Sequence, residues 1–225
     1  MKKQIQIKPT KELAYLIGII QTDGSFKKYI EKSRNVKRWI ISMCVGKKSL
    51  PMLRKFQKLS KKLLNRKGGI FKSKISNEWE SKIRVNSLIK EFERLDINFG
   101  DPPTPPFWVK ENEKLFGAYL AGIIDGDGNV RIKRKKYPQC AVRITSSEKQ
   151  IDLKSTIEKI LRCKVNITKD ENAYDLEFYV SPKNYKIIKE NVLPYITLKY
   201  KKDKLNSYIN SRWPSWRSPV SAQAK

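Results

Sequence analysis

Gly117-Ala118-Tyr119-Leu120-Ala121-Gly122-Ile123-Ile124-Asp125-Gly126-Asp127-Gly128 decides how the rest of this chain is read. A second stretch, Leu13-Ala14-Tyr15-Leu16-Ile17-Gly18-Ile19-Ile20-Gln21-Thr22-Asp23-Gly24, repeats it without a gap. Both have Ala-Tyr-Leu, a central glycine, Ile-Ile and a closing Asp-Gly. Repetition inside one chain points to two copies of one structural unit. Between them lies Gly100-Asp101-Pro102-Pro103-Thr104-Pro105-Pro106, which can continue neither a helix nor a central strand and reads as a semi-rigid linker.

The segments after the two copies match in kind. After the first, 25–30 and 38–45 read as strands, 49–64 as a helix with leucines and Phe56 at helical spacing, 69–73 and 79–85 as strands, and 87–95 as a helix. After the second, 129–135 and 139–145 read as strands, 147–161 as a helix, 164–169 and 173–180 as strands, and 183–190 as a last helical segment. The expected division is residues 1–99, a linker at 100–110, a second half at 111–217, and a disordered tail at 218–225. The segment around Tyr200-Lys201-Lys202-Asp203-Lys204 has no clear reading.

Read as helices, the repeated segments carry small residues along one face: Ala14, Gly18 and Thr22 in one, Ala118, Gly122 and Gly126 in the other. Each stripe could pack on its own sheet. Only contact between the two copies explains why both carry it, because glycine in a helix costs about 1 kcal/mol relative to alanine and small side chains let backbones approach. Gly24 and Gly128 then read as left-handed helix ends. Asp23 and Asp127 stand just before them, facing the negative end of the macrodipole. An Asp-Gly pair is common in turns. Two in register are better explained as a pair of carboxylates meeting near a pseudo-twofold axis, where they raise each other's pKa unless a cation intervenes. Carboxylates and helix-end carbonyls are hard oxygen donors suited to Mg²⁺ or Mn²⁺.

Composition agrees and excludes alternatives. The 225-residue chain has 49 Lys+Arg against 22 Asp+Glu, a formal net charge of +27. Such a surplus calls for a polyanion, with nucleic acid ahead of an anionic membrane surface. It contains no histidine, which removes Ser-His-Asp and Cys-His catalysis and His-bound zinc. Cys44, Cys140 and Cys163 are odd in number and widely spaced, which reads as reduced thiols. No apolar run spans a bilayer, and the N-terminus lacks a signal core. The expectation is an intracellular monomer, in a prokaryotic cytoplasm or an organelle, that is not secreted.

Leu120-Ala121-Gly122-Ile123-Ile124-Asp125-Gly126-Asp127-Gly128 resembles the LAGLIDADG motif almost letter for letter, and Leu16 to Gly24 resembles a looser copy. With the length and linker, the chain resembles the monomeric, two-motif LAGLIDADG homing endonucleases over nearly its whole extent. The resemblance implies an α+β fold of two pseudo-symmetric αββαββα halves, their antiparallel sheets forming a DNA-binding saddle with the motif helices at the centre. It implies that Asp23 and Asp127 bind the metal, helped by the carbonyls of Thr22 and Gly126. Gln21 departs from the usual Asp at a position that is mostly structural in the family. A polar residue at the end of the second strand and a nearby lysine are also implied. By position these are Lys47 in the first half, since Gly46 has no side chain, and Ser146 in the second.

The implied activity is hydrolysis of both strands of a long, imperfectly palindromic DNA site with Mg²⁺ or Mn²⁺ as cofactor, a chemistry that needs no histidine. DNA contacts are expected from Ser25, Lys27, Lys28, Tyr29, Arg34, Lys37 and Arg38 after the first motif. After the second they are Asn129, Arg131, Lys133, Arg134, Lys135, Tyr137, Gln139, Arg143 and Ser146. The outer hairpins add Lys72, Lys74, Lys82, Lys164 and Lys169. Two alternatives use the same scaffold: an intron RNA-binding maturase and a DNA-binding regulator that does not cut. An intein origin fits less well, since no splicing ends are recognisable.

Overall fold

The computed structural model describes residues 6–31, 35–73 and 76–214. Thr10 starts α1 (Lys11–Asp23) by accepting the Leu13 N–H on its hydroxyl, and Asn112 starts α5 (Glu113–Asp125) by accepting from Lys114 and Leu115. The first half continues through β1 (Gly24–Glu31), β2 (Val36–Gly46), α2 (Leu50–Leu64), β3 (Ile70–Lys72), β4 (Glu78–Arg84) and α3 (Ile89–Arg94). After a short α4 (Phe107–Lys110) and α5, the second half repeats the order. It has β5 (Gly128–Lys133), β6 (Gln139–Ser146), α6 (Ile151–Leu161), β7 (Val165–Asp170), β8 (Ala173–Tyr179) and α7 (Tyr185–Ile187), which runs into a π turn at Ile188–Val192. Each half holds one antiparallel four-stranded sheet, ordered β1-β2-β4-β3 and β5-β6-β8-β7. The αββαββα expectation is met twice.

Alternation divides each sheet into two faces. Ile41, Met43, Val45 and Ile83 in the first sheet, and Val130, Val142, Ile144, Leu176 and Phe178 in the second, are buried under the helices. They belong to one core that runs through both halves. The opposite faces are free of helices and carry polar side chains.

Close approach, not left-handed geometry, explains the motif glycines. A Cβ on Gly122 would lie 2.5 Å from the Tyr15 carbonyl oxygen, and one on Gly18 would strike the Tyr119 carbonyl. Gly18 faces Gly122 and Thr22 faces Gly126, so contacts advance in the same direction along both helices, which are parallel. Ala14 and Ala118, one turn earlier, are fully buried. Gly24 and Gly128 correct the reading of left-handed helix ends, for no glycine has positive φ among the described residues. They open β1 and β5, where a Cβ would strike the backbone of Ile20 or Ile124.

Other differences have local causes. Arg134 and Lys135 leave the strand read over 129–135, because Arg134 takes φ 60° in the hairpin turn. The helix read over 147–161 begins only at Ile151, after the buried Gln150. The proline-rich stretch read as a linker is packed: Pro103, Pro105 and Pro106 are buried, and Trp108 and Val109 of α4 join the core. A further helix, α8 (Lys199–Arg212), follows in the segment that had no clear reading. Its buried positions, Lys201, Leu205 and Ile209, put a charge where an apolar stripe should start. Arg34, Lys74 and the expected tail at 218–225 lie outside the described residues.

Candidate active site and nucleic-acid interface

Parallel packing of α1 and α5 delivers their C-terminal ends, and therefore Asp23 and Asp127, to one place. Both acids are half-buried. Burial first, and then the charge of Asp23, pushes Asp127 up to about 7, with Lys201 opposing and Asp101 adding to the rise. Asp23 is also raised, chiefly by burial. Neither carboxylate forms an ion pair with a lysine or arginine among the described residues. Two such groups held together with no ion-pair partner of their own fit a hard divalent cation. No cluster of three Asp, Glu, Cys or His side chains suited to a metal occurs among the described residues. Further ligands would have to be carbonyls or water.

Each motif helix fixes the end of the other. Tyr15 donates its hydroxyl to Asp125 Oδ2 at 2.7 Å, and Tyr119 donates to Gln21 Oε1 at 2.6 Å. Asp125 also accepts the N–H groups of Thr197 and Leu198, at 2.7 and 3.0 Å. Gln21 instead donates its amide to the carbonyls of Asn98 and Thr104. This is why the first copy has Gln where the second has Asp. The segment beneath it, interrupted by prolines at 102 and 103, offers carbonyl oxygens, which a carboxylate could not engage. Lys55 of α2 lies over the Tyr15 ring at 3.4 Å and donates to the Tyr195 carbonyl and Thr197 Oγ1, tying the first half to the same loop.

Lys201 is the residue the sequence did not reveal. Its ammonium is buried and donates to the carbonyls of Ile124, Asp125 and Gly126 at 2.8, 2.7 and 2.9 Å, closing the end of α5 with a positive charge. Burial lowers its pKa, while Asp125, Asp23 and Asp127 hold it up. No side chain among the described residues does this for α1. The Gly126 carbonyl, implied as a metal ligand, is therefore already engaged. The Thr22 hydroxyl turns back onto the Gly18 carbonyl at 3.0 Å. A cleft of about 520 Å³ opens beside Asp127, lined by Asn129, Thr145, Tyr200, Lys201 and Lys204.

Lys47 stands exposed in the turn after β2, with no contact to either acid among the described residues. Ser146 is corrected as a surface contact: it is buried, and its hydroxyl donates to Asp101 Oδ1 at 2.7 Å.

The register sorts the other candidates. Ser25, Lys27, Tyr29, Arg38 and Lys82 share the helix-free face of the first sheet, as Asn129, Arg131, Lys133, Gln139 and Arg143 do on the second. Lys28, Lys37, Lys72 and Lys169 occupy the opposite rows. Arg134, Lys135 and Tyr137 are exposed in the β5–β6 turn, and Lys164 is exposed just before β7. Several helix-free basic residues are paired with acids: Arg38 with Glu31, Lys82 with Glu80, and Lys133 and Arg143 with Glu177 and Asp175.

This arrangement of two such sheets around two parallel motif helices is found in known proteins. The structure of I-DmoI in complex with DNA and Ca is similar at a TM-score of 0.62 and 17% identity, covering 88% of this chain and 97% of that one. A mutant of I-SmaMI is similar at 0.56 and 18%, covering 93% and 92%. The chain has the fold of the two-motif LAGLIDADG homing endonucleases. Full-length DUF199/WhiA from Thermatoga maritima is also similar in fold, with a TM-score of 0.55, 14% identity, and 90% and 60% coverage. No family model matches the sequence. Among curated proteins, an A-type ATP synthase subunit of Methanopyrus kandleri is 32% identical over 127 residues. These are 55% of this chain and 11% of that protein, so the chain spans only a small part of its curated relative's length. No helix among the described residues is long and apolar enough to cross a membrane.

Proposed function

We propose that this protein is a sequence-specific, divalent-metal-dependent endonuclease that binds duplex DNA across both sheets as a monomer and cuts both strands. One observation carries the reading. The two motif repeats bring equivalent, half-buried carboxylates to one point at the ends of glycine-packed helices; burial raises the pKa of both, and the charge of Asp23 adds to the rise at Asp127. The fold match supports it: I-DmoI structures are described as complexes with target DNA in Mg, with DNA and Ca, and with DNA and Mn.

Asp23 and Asp127 would hold Mg²⁺ or Mn²⁺ with the Thr22 carbonyl, and the Gly126 carbonyl would be shared with Lys201. A divalent ion there supplies an activated water and neutralises charge on the leaving 3′ oxygen. The chain's own contribution is positional. Tyr15, Asp125, Gln21 and Tyr119 fix the helix ends, and Lys201 keeps a positive charge beside the acids. The exposed basic residues of both sheets bind phosphates. The two halves differ at most polar strand positions, which fits an imperfectly palindromic site inside the cell.

The test is to incubate a random-centre duplex library with the protein and Mg²⁺ and to sequence the cut ends. Double-strand breaks within one consensus are expected. Asp23→Asn and Asp127→Asn should each abolish coordinated cutting while leaving duplex binding largely intact. An undiminished rate in the double variant overturns the assignment. A second reading, a regulator that binds DNA without cutting, draws on the fold shared with DUF199/WhiA. It predicts binding to a consensus with no Mg²⁺-dependent ends.

A further inference from the structure

The helix-free face of the second sheet contains a charged cluster that cancels itself. Arg143 on β6 lies directly opposite Asn129 on β5 and Glu177 on β8. Asn129 is two residues beyond Asp127, so this row is among the first on the sheet outward from the acids. Arg143 Nη1 donates to Asp175 Oδ2 at 2.7 Å, and its Nε lies 3.7 Å from Glu177 Oε2. Asp175 is only 5% exposed and is held from the other side by the Thr145 hydroxyl at 2.6 Å. Glu177 is held by Lys133 at 2.7 Å. Two cations and two anions are locked together in the middle of a surface whose surroundings are strongly basic.

Such a cluster is poorly suited to phosphate. An arginine already paired with carboxylates releases few counterions when a phosphate approaches, and the acids repel the backbone. The same lock suits base recognition. The guanidinium plane is fixed before binding, so little side-chain entropy remains to be lost; Nε is buried beside Glu177 without a hydrogen-bond partner, and the N–H groups of Nη1 and Nη2 not used by Asp175 form the donor pair for the O6 and N7 of guanine. Arg131 provides the contrast. It is exposed one row further out on β5 and has no ion pair among the described residues, which is the state of a phosphate contact.

We propose that Arg143, latched by Asp175, is a specificity-determining residue that reads one guanine edge in the major groove, whereas Arg131 binds phosphate. This rests on the duplex-binding reading above, and the two can fail separately. A random-centre duplex library is first selected on the wild-type protein; if no duplex is retained, the duplex-binding reading itself fails. With a selected duplex, binding is measured over a range of NaCl concentrations for wild type, Arg143→Lys, Asp175→Asn and Arg131→Gln, on the duplex and on a panel replacing each G·C pair in turn. Wild type should discriminate at one such position by roughly 5- to 150-fold. Arg143→Lys should lose most of that preference at that position alone, with the salt slope unchanged. Arg131→Gln should weaken all duplexes alike and lower the slope by about one. Should Arg143→Lys fail to fold, Asp175→Asn decides: a smaller preference at the same position with tighter binding to unrelated duplex supports the proposal. Uniform weakening by Arg143→Lys with a reduced slope, or unchanged discrimination in Asp175→Asn, overturns it.

Discussion

The ends of α1 and α5 were built from the same repeated segment, yet they are finished differently. At the end of α5, Asp125 accepts two backbone N–H groups and a tyrosine hydroxyl, and Lys201 closes three carbonyls. At the end of α1, Gln21 donates to two carbonyls and accepts one hydroxyl, and no described cation closes the helix. The difference shows that the repeat fixes where the two acids sit, while each half's following loop decides what holds them there. What the halves share is the proposed chemistry; where they differ is its support.

Removing the shared part should have the largest effect. Asp23→Asn or Asp127→Asn is expected to lower the Mg²⁺-dependent cutting rate by roughly a thousandfold or more, measured as linear product from a plasmid carrying the selected site. Equal losses in the two variants would show that the acids are equivalent despite their different surroundings.

Lys201→Met attacks the unshared support. It leaves three helix-end carbonyls without their donor and should cost about 2–4 kcal/mol in denaturant unfolding. Exchanging the sixth motif residues should be nearly as damaging. Gln21→Glu places a carboxylate against the Asn98 and Thr104 carbonyls, and Asp125→Gln puts an amide against two N–H groups; each is expected to cost about 1–3 kcal/mol. If either variant is as stable as wild type, the account of why the two copies diverge here is wrong.

A smaller effect is expected from pH. The folded chain holds Asp127 at about 7, above the ordinary carboxylate value of 3.8 that applies when unfolded. Between those values the folded state binds more protons. Metal-free protein should therefore lose stability as pH rises from about 4 through about 7. In EDTA, Asp127→Asn should melt a few degrees above wild type at pH 8. The gap should close near pH 4 and shrink when Mg²⁺ is added at pH 8. The smallest difference should separate the tyrosines. Tyr15→Phe, losing Asp125 and Thr197, should cost about 1–2 kcal/mol, and Tyr119→Phe, losing Gln21 alone among the described residues, about 1 kcal/mol.

Local pattern made much of this readable. The small residues at Gly18, Thr22, Gly122 and Gly126 announced a helix pair, because only two backbones in close contact require them twice. The alternating strands and the aspartates before Gly24 and Gly128 were likewise visible in a single segment. Lys201 was not visible, since it reaches Gly126 across 75 residues from a helix with few apolar positions. Ser146 was misplaced because strand position alone does not show that Asp101 would face its hydroxyl. The carboxylates facing Arg143 and Lys133 depend on the register between β6 and β8, which no local pattern specifies.

The central claim is that Asp23 and Asp127 share a divalent ion beneath bound DNA. Anomalous diffraction from crystals of the protein with its selected duplex and Mn²⁺ tests it most directly. A manganese peak within about 2.0–2.4 Å of an oxygen from each aspartate is expected. Manganese bound only elsewhere, or the two carboxylates facing away from the duplex, would contradict it.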